Sequence, residues 1–234
     1  MNVVIIAREG SERYPGKHFH PINGVPLIAA IVERLLGAGA RPILCTGNDR
    51  DNARLGEVAH QAGATVYYEQ EFPEWDLVSR HIMMAYDLKI SEWISYSGDC
   101  PFTDLRILPL IWKRLIQGDV DHVGVTTTYS AVSDRMASGQ TLELWEKWDG
   151  FYDLDDQRRE QPWVHHQDYT SANVEPPWPL SRTLIKTSID FPFEGAIADL
   201  IVRTLGHYPQ DDDELQGVYK TIHKIKSVED GEDS

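Results

Sequence analysis

Short apolar segments alternate with amphipathic segments through the first half of this chain. Four segments have the apolar, β-branched or aromatic composition of buried strands, at 3–6, 41–46, 64–68 and 93–97. Four segments have apolar residues at helical spacing, at 26–38, 49–62, 75–88 and 105–116. This regular β-α alternation predicts an α/β fold with a mostly parallel, twisted sheet, right-handed crossovers and helices on both faces.

The alternation ends after a further strand that we predict over 122–128. Tryptophans are spread among charges and prolines over 129–182 without a clear period. Large amphipathic rings favour interfaces, so we predict an irregular lid, an acceptor-binding segment or a dimer contact there rather than a layer of strands.

Regular elements return near the C-terminus. We predict a late strand over 183–189, helices over 194–205 and 211–225, and a frayed acidic tail over 227–234. The 234 residues are enough for one large α/β core and short for two, so 1–226 is interpreted as a single domain.

Composition and charge exclude several classes of protein. The 37 acidic residues outnumber the 22 basic ones, which argues against a nucleic-acid or anionic-membrane partner. No apolar run has the roughly 20 residues needed to span a bilayer, and the N-terminus lacks the charged start of a signal peptide, so a cytoplasmic protein is expected. Cys45 and Cys100 are the only cysteines, and we interpret both as reduced and structural.

The segment after the first strand is a candidate anion site. Arg8, Gly10, Ser11, Arg13 and Lys17 lie within it, at the strand end where open α/β sheets place their ligands. Glycine allows close approach of the backbone to phosphate, and repeated cations match repeated phosphates. The alternative is a solvated basic turn, but a chain of formal net charge -15 binds a polyphosphate only by concentrating positive charge.

Four segments together resemble the motifs of the sugar cytidylyltransferases, above all the spore-coat polysaccharide type and more distantly the CMP-Kdo and CMP-sialate synthetases. The likeness is good over 2–124 and weak over 183–205. The segments are A-R-E-G-S-E-R-Y-P-G-K at 7–17, W-D-L-V-S-R at 75–80, S-G-D-C-P-F-T-D at 97–104 and I-D-F-P-F-E at 189–194.

The resemblance implies a Rossmann-like nucleotide-diphospho-sugar transferase fold. It implies two substrates, CTP and an acceptor that is a sugar, an acidic sugar or a sugar phosphate. It also implies a homodimer. The nucleotide would be held by Arg8, Gly10, Ser11, Arg13, Lys17 and Arg80, with Arg13, Lys17 and Asp99 as the catalytic residues. Mg²⁺ suits the chemistry, because it binds through one or two carboxylates and leaves positions for phosphates; Asp99 and Asp190 are the candidate ligands.

Each assignment has a structural alternative. Asp99 suits a turn or a helix cap, and Asp190 lies in a degenerate motif in which Phe191 replaces threonine. Arg8 suits an ion pair with a carboxylate at the edge of the core, and Arg80 suits a surface pair with Asp76. Asn48 or Asp49 suits a helix cap.

The loop itself departs from the family pattern at Glu9, Glu12 and Tyr14, and its added acids are expected to weaken phosphate binding. Two other functions therefore remain open. One is transfer from UTP, GTP or ATP, and the other is a catalytically silent nucleotide-binding protein. His165 and His166 are interpreted as polar loop residues rather than a metal site, with an acceptor contact as the alternative.

Overall fold

A computed structural model describes residues 1–125, 137–162, 169–177 and 188–209, and also 214, 215, 217, 218 and 221. Its strands are β1 Asn2–Ile6, β2 Pro21–Ile22, β3 Val25–Pro26, β4 Arg41–Thr46, β5 Thr65–Tyr68, β6 Glu92–Ser97, β7 His122–Val125, β8 Ala137–Thr141 and β9 Ser171–Val174. Its α-helices are α1 Leu27–Gly37, α2 Asp49–Gln61, α3 Leu77–Leu88, α4 Ile107–Leu115, α5 Leu142–Asp149 and α6 Pro192–Leu205. Short 3-10 helices cover Lys17–Phe19 and Gln157–Glu160.

Seven strands form one sheet in the order β5-β4-β1-β6-β8-β7-β9, and β2 pairs with β3 in a separate hairpin. Strand β1 runs parallel to both β4 and β6 at the centre of the sheet. Strand β8 is antiparallel to its two neighbours, and β9 runs parallel to β7. The prediction of an α/β fold with a mainly parallel sheet is confirmed.

The predicted elements of the first half are present with small shifts at their ends. Strand β4 has the predicted bounds. Helix α3 begins at Leu77 rather than at residue 75, because Asp76 caps it by accepting a hydrogen bond from the backbone N–H of Ser79 at 3.0 Å. Asn48 likewise caps α2 by accepting from the N–H of Asp51 at 2.9 Å, which confirms the capping interpretation.

The prediction of irregular structure over 129–182 is wrong for 137–149, where β8 enters the main sheet and α5 follows directly. It is also wrong for 171–174, where β9 adds the edge strand beside β7. Strand β8 lacks an apolar pattern because its buried polar residue is satisfied inside the sheet. The side chain of Gln140 accepts hydrogen bonds from Ser95 at 2.6 Å and from Trp145 at 3.1 Å. Gly139 lets α4 approach, since a Cβ there would lie 2.9 Å from Ile111.

Several predictions concern residues outside the described ones. These are the end of the strand over 122–128, most of the late strand over 183–189, most of the helix over 211–225, and the tail over 227–234.

The central strand β1 is buried on both faces, which explains its unbroken apolar sequence. Val3 and Ile5 pack into a core with α1, α2, α4 and α6. Val4 faces the opposite side, where the second core holds Trp93 and Trp145 between the sheet, α3 and α5. No helix among the described residues is long and apolar enough to cross a membrane.

A histidine is stacked within this second core. The ring of His81 lies 4.1 Å from that of Trp145 and 6.0 Å from that of Trp93, measured between centroids. The Nδ1 atom of His81 is 2.7 Å from the carbonyl of Leu77, a contact that fixes the orientation of the ring. Burial lowers the pKa of His81 to about 3, so the histidine is neutral in the folded protein.

We expect His81 to make the protein sensitive to acid. In the unfolded chain His81 is protonated below its ordinary pKa, whereas in the folded protein it stays neutral until about pH 3. The free energy of unfolding therefore falls as pH is lowered between these two values. In His81→Phe the free energy of unfolding should decrease less steeply with falling pH, by at most about 1.4 kcal/mol per pH unit. Urea denaturation of both proteins between pH 7 and pH 4, compared with their stabilities at pH 8, measures this difference. Parallel pH curves would show that His81 contributes nothing to it.

Candidate active site

The ends of β1 and β6 are held close together by a glycine. The N–H of Gly98, the first residue after β6, donates to the carbonyl of Ile6 at 3.0 Å. A Cβ on Gly98 would lie only 2.7 Å from that of Ala7, so only glycine allows the two chains to approach this closely. Asp99 is thereby placed directly beside the loop that follows β1.

A third segment joins Asp99 from a distant part of the sequence. The N–H of Ile189 donates to the carbonyl of Asp99 at 2.9 Å, which places Asp190 beside it. The carboxylate of Glu194 then accepts from the N–H groups of Asp190 at 2.6 Å and Phe191 at 2.9 Å, where α6 begins. The position of Asp190 is therefore fixed by a backbone hydrogen bond on one side and by the Glu194 side chain on the other.

Two cations bind these two carboxylates. The ammonium of Lys17 is hydrogen-bonded to Oδ2 of Asp99 and lies 3.8 Å from Oδ1 of Asp190. The guanidinium of Arg13 lies 2.7 Å from the same oxygen of Asp190. Ser97 donates to the other oxygen of Asp99 at 2.5 Å. The lysine side chain is only 12% exposed, whereas that of Arg13 is 63% exposed.

The electrostatics of this cluster keep Asp99 ionised. Burial alone raises the pKa of the Asp99 carboxyl, but the charge and hydrogen bond of Lys17 outweigh burial and hold that pKa below its usual value. His18 lies beneath the cluster, with Nδ1 3.0 Å from the carbonyl of Gly98. Burial, assisted by the charge of Lys17, lowers the pKa of His18 to about 4, so this ring is neutral near pH 7.

A cavity of about 520 Å³ opens over the cluster and collects most of the predicted site residues. Asp190 borders the same region through its contacts with Arg13 and Lys17. Gly10 lies nearby, since a Cβ on it would be 3.8 Å from the carboxylate of Glu74. The predicted residues that line the cavity are Arg8, Ser11, Arg13, Lys17, Arg80 and Asp99.

Arg80 is buried in the wall of this cavity rather than exposed on a helix surface. The residue is 1% exposed, and its Nε and Nη2 atoms have no hydrogen-bond partner within the described part of the chain. The alternative of a surface pair with Asp76 is wrong, because the Asp76 carboxylate is buried and engaged by Ser79 and Arg159. Burial lowers the pKa of Arg80. A buried guanidinium with unpaired donors is costly, which makes it a good site for an acceptor group on a ligand.

Two carboxylates that the sequence gave no reason to select also line the cavity. Glu74 and Glu160 lie on either side of Arg8, with one oxygen of each 3.9 Å from a different terminal nitrogen of the guanidinium. The alternative of an ion pair between Arg8 and a carboxylate is thus present, but both distances are long. Neither glutamate belongs to a motif, so no local signal marks them.

The three unusual residues of the loop behave differently from one another. Glu9 is turned away from the cavity, and its carboxylate accepts from the N–H of Leu55 at 3.3 Å, just after Asn52 kinks α2. The expectation that Glu9 weakens phosphate binding therefore lacks a contact to support it. Glu12 does line the cavity, whereas the hydroxyl of Tyr14 lies 2.5 Å from Nδ1 of His20.

A buried arginine holds the other side of the cavity in place. Arg159 is fully buried, and its guanidinium lies 3.0 Å from Asp76, 2.7 Å from Asp149 and 2.8 Å from the hydroxyl of Ser79. Asp76 caps α3 and Ser79 lies in its first turn, directly before Arg80. Glu160, the next residue after Arg159, lines the cavity as well. The Arg159 network therefore connects the segment that carries Glu160 to the start of α3, which carries Arg80.

We expect Arg159→Gln to lower the free energy of unfolding by about 3–5 kcal/mol, because it leaves the buried carboxylate of Asp76 without its cation. Arg158→Gln is the matched control. That side chain is 56% exposed and pairs with Asp156, so its loss should cost less than about 1 kcal/mol. Urea denaturation measures both variants. Equal losses would mean that the buried network contributes no more than a surface ion pair.

The residues present fit a magnesium ion bound together with a substrate. Among the described residues no group of three or more His, Cys, Asp and Glu side chains is arranged to hold a metal. Asp99 and Asp190 supply two carboxylates that share one ammonium, and Mg²⁺ is commonly held by such a pair with water and phosphate oxygens completing the shell. His165 and His166 lie outside the described residues.

Comparison with known proteins identifies a family that this chain matches. Residues 2–208 match the family model described as "Cytidylyltransferase". A 3-deoxy-manno-octulosonate cytidylyltransferase of Aeromonas salmonicida (strain A449) is 43% identical over 65 residues, which is 27% of this chain and 25% of that protein. One from Methylococcus capsulatus (strain ATCC 33009 / NCIMB 11132 / Bath) is 29% identical over 119 residues, 48% of this chain and 44% of that protein. The matches thus span less than half the length of these curated relatives.

Solved structures show the same architecture. A cytidylyltransferase from Leptospira borgpetersenii serovar Hardjo-bovis (strain JB197) matches with a TM-score of 0.76 at 20% identity, covering 97% of this chain and 95% of that one. A CMP:2-keto-3-deoxy-manno-octonic acid synthetase, solved in complex with CTP, matches with a TM-score of 0.59 at 15% identity, covering 86% and 98%. At these identities the matches establish the fold, and they confirm its predicted Rossmann-like class.

Proposed function

This chain belongs to the cytidylyltransferase family, and from that premise we propose that it transfers CMP from CTP to an oxygen of an acceptor sugar with the help of Mg²⁺. The observation that carries the proposal is the cluster of Lys17, Arg13, Asp99 and Asp190 at the mouth of a cavity. It combines the two charges that such a reaction needs, cations for the phosphates and carboxylates for a divalent ion.

Nucleotidyl transfer requires positioning and neutralisation of charge more than covalent assistance. An acceptor oxygen forms a bond to the α-phosphorus of CTP, the bond from that phosphorus to the bridging oxygen breaks, and pyrophosphate leaves with the electron pair. A hydroxyl acceptor loses its proton to solvent. Magnesium, held by Asp99 and Asp190, would supply positive charge to the phosphate oxygens.

The loop after β1 would bind the triphosphate. Arg13 and Lys17 carry the charges nearest to the carboxylate pair, and Arg8 lies farther along the same cavity wall. Gly10 and Ser11 would contribute backbone N–H groups to the phosphate cradle. The ion pairs of Arg8 with Glu74 and Glu160 are both 3.9 Å long. Because these contacts are long, a phosphate that approaches the guanidinium closely displaces them at little cost.

Arg80 would bind an acceptor group of the nucleotide. Its unpaired Nε and Nη2 are buried in the cavity wall, where they suit a carbonyl or ring-nitrogen acceptor better than an exposed phosphate. Without a ligand these buried donors have no acceptor among the described residues. A ligand that supplies a matching acceptor removes this cost and is therefore bound in preference to one that does not. This supports selection of one base over another.

The names of the relatives support an acidic sugar as the acceptor class. The matched proteins of Aeromonas salmonicida and Methylococcus capsulatus carry the name 3-deoxy-manno-octulosonate cytidylyltransferase, so an acidic sugar is the first acceptor to test. A homodimer and a cytoplasmic location are further proposals that rest on the resemblance and the composition.

A substrate panel tests the reaction. Pyrophosphate release is measured for CTP, UTP, GTP and ATP with Mg²⁺, each against acidic sugars, neutral sugars and sugar phosphates. We expect turnover with CTP and an acidic sugar. Turnover of another nucleotide would replace CTP in the proposal, and tight CTP binding without product across the panel would favour the silent nucleotide-binding protein.

Asp99→Asn tests the carboxylate pair. The amide keeps a hydrogen-bond acceptor for Ser97 but removes the charge, so kcat should fall by roughly 10²–10³-fold, the usual effect of losing one preorganised electrostatic contact. Asp104→Asn is the control, because the Asp104 carboxylate pairs with Arg106 instead. Steady-state kinetics and a thermal melt are compared for both variants. An Asp99→Asn protein with wild-type kcat would remove Asp99 from the chemistry.

A further inference from the structure

Resting on the proposed function, we infer that Lys17 and Arg13 act as stand-ins for the metal in the nucleotide-free protein. They neutralise Asp99 and Asp190 and so exclude a free divalent ion. The metal site forms when a triphosphate draws the two cations away from the carboxylates. Metal and nucleotide binding are therefore coupled through an exchange of ion-pair partners.

The position of Lys17 explains why a free divalent ion is excluded. Its ammonium contacts both carboxylates, and its side chain and those of Asp99 and Asp190 are less than one-fifth exposed. Charges buried to this extent are screened only weakly by salt. A divalent ion entering the free protein would have to sit beside this ammonium or displace it, and both are costly.

Arg13 completes the neutralisation on the open side. Its guanidinium lies 2.7 Å from Asp190 and 6.0 Å from the centre of the Phe191 ring. Phe193 stacks on Phe191 at 5.9 Å, so the arginine rests beside an aromatic pair at the first turn of α6. A cation–π contact at an exposed site is worth only about 0.5–1 kcal/mol, which holds Arg13 in place and still lets a triphosphate remove it.

Balance of charge gives the direction of the exchange. Within the described residues, Lys17 and Arg13 supply two positive charges beside the two carboxylates, and a triphosphate offers these cations more anionic oxygens than the carboxylates do. Once Lys17 and Arg13 turn to the phosphates, Asp99 and Asp190 lose these two cations, and a divalent ion takes their place. The coupling is reciprocal, so the metal must increase nucleotide affinity by the same factor.

Lys17→Gln distinguishes a metal site that Lys17 blocks from one that is accessible to a divalent ion without nucleotide. The amide still donates a hydrogen bond to Asp99 but carries no charge. Without nucleotide, we expect this variant to bind Mn²⁺ about tenfold more tightly than the wild type, within the usual range of coupling between sites. With EDTA present, its affinity for CTP should fall by about the same factor. Free Mn²⁺ is followed by electron paramagnetic resonance, and CTP binding by calorimetry.

Two further variants control the experiment. Lys147→Gln removes a lysine that also bridges two carboxylates, Asp121 at 3.0 Å and Glu143 at 3.5 Å, and it should change neither affinity. Arg13→Gln alters an exposed side chain with little risk to the fold, and it should strengthen Mn²⁺ binding by a smaller factor than Lys17→Gln.

The outcomes distinguish this inference from the proposed function. If neither Lys17→Gln nor Arg13→Gln strengthens Mn²⁺ binding while the wild type still turns over CTP, the exchange is wrong and the enzyme assignment stands. If Mn²⁺ binding strengthens but the wild type binds no CTP, the ion-pair role is supported and the proposed reaction is wrong.

Discussion

The contact on which the site depends is the ammonium of Lys17 between the carboxylates of Asp99 and Asp190. Two buried carboxylates repel each other and lose favourable hydration, and a cation between them offsets both costs. Three distant segments of the chain supply these groups. The segments are held by backbone hydrogen bonds from Gly98 to Ile6 and from Ile189 to Asp99, so the charges are brought together by main-chain geometry rather than by the ion pairs alone.

The rest of the fold supports the walls around that contact. Strand β8 and helix α5 place Trp145 against His81 on α3, and the buried Arg159 ties the start of α3 to Asp149 at the end of α5. Helix α3 carries Arg80 into the cavity. The region that looked irregular in sequence is thus part of the frame that orients a site residue, and its stability bears directly on the position of that guanidinium.

Charge in this protein is concentrated and balanced locally. A chain with formal net charge -15 collects four cations around one cavity, yet Glu12, Glu74, Glu160 and Asp99 line it as well. An anionic ligand must therefore compete with carboxylates for Arg8, Arg13 and Lys17. Such competition favours a ligand with several closely spaced charges, as a triphosphate has, over one with a single charge. The family assignment, the cavity and this balance of charge are mutually consistent.

The sequence by itself determined the α/β class, the parallel centre of the sheet and the loop after β1, because these follow from local apolar periodicity and from motifs that are contiguous in the chain. It also selected Lys17 and Asp99 as candidate site residues, and the structure brings these two side chains into contact. Tertiary structure alone decided which way each side chain points. Arg80 is buried with unpaired donors, Glu9 turns toward α2, and Glu74 and Glu160 bracket Arg8. Strand β8 was missed because its buried polar residue, Gln140, is satisfied in part by Ser95 on the neighbouring strand, and a local pattern carries no record of a partner so distant in sequence.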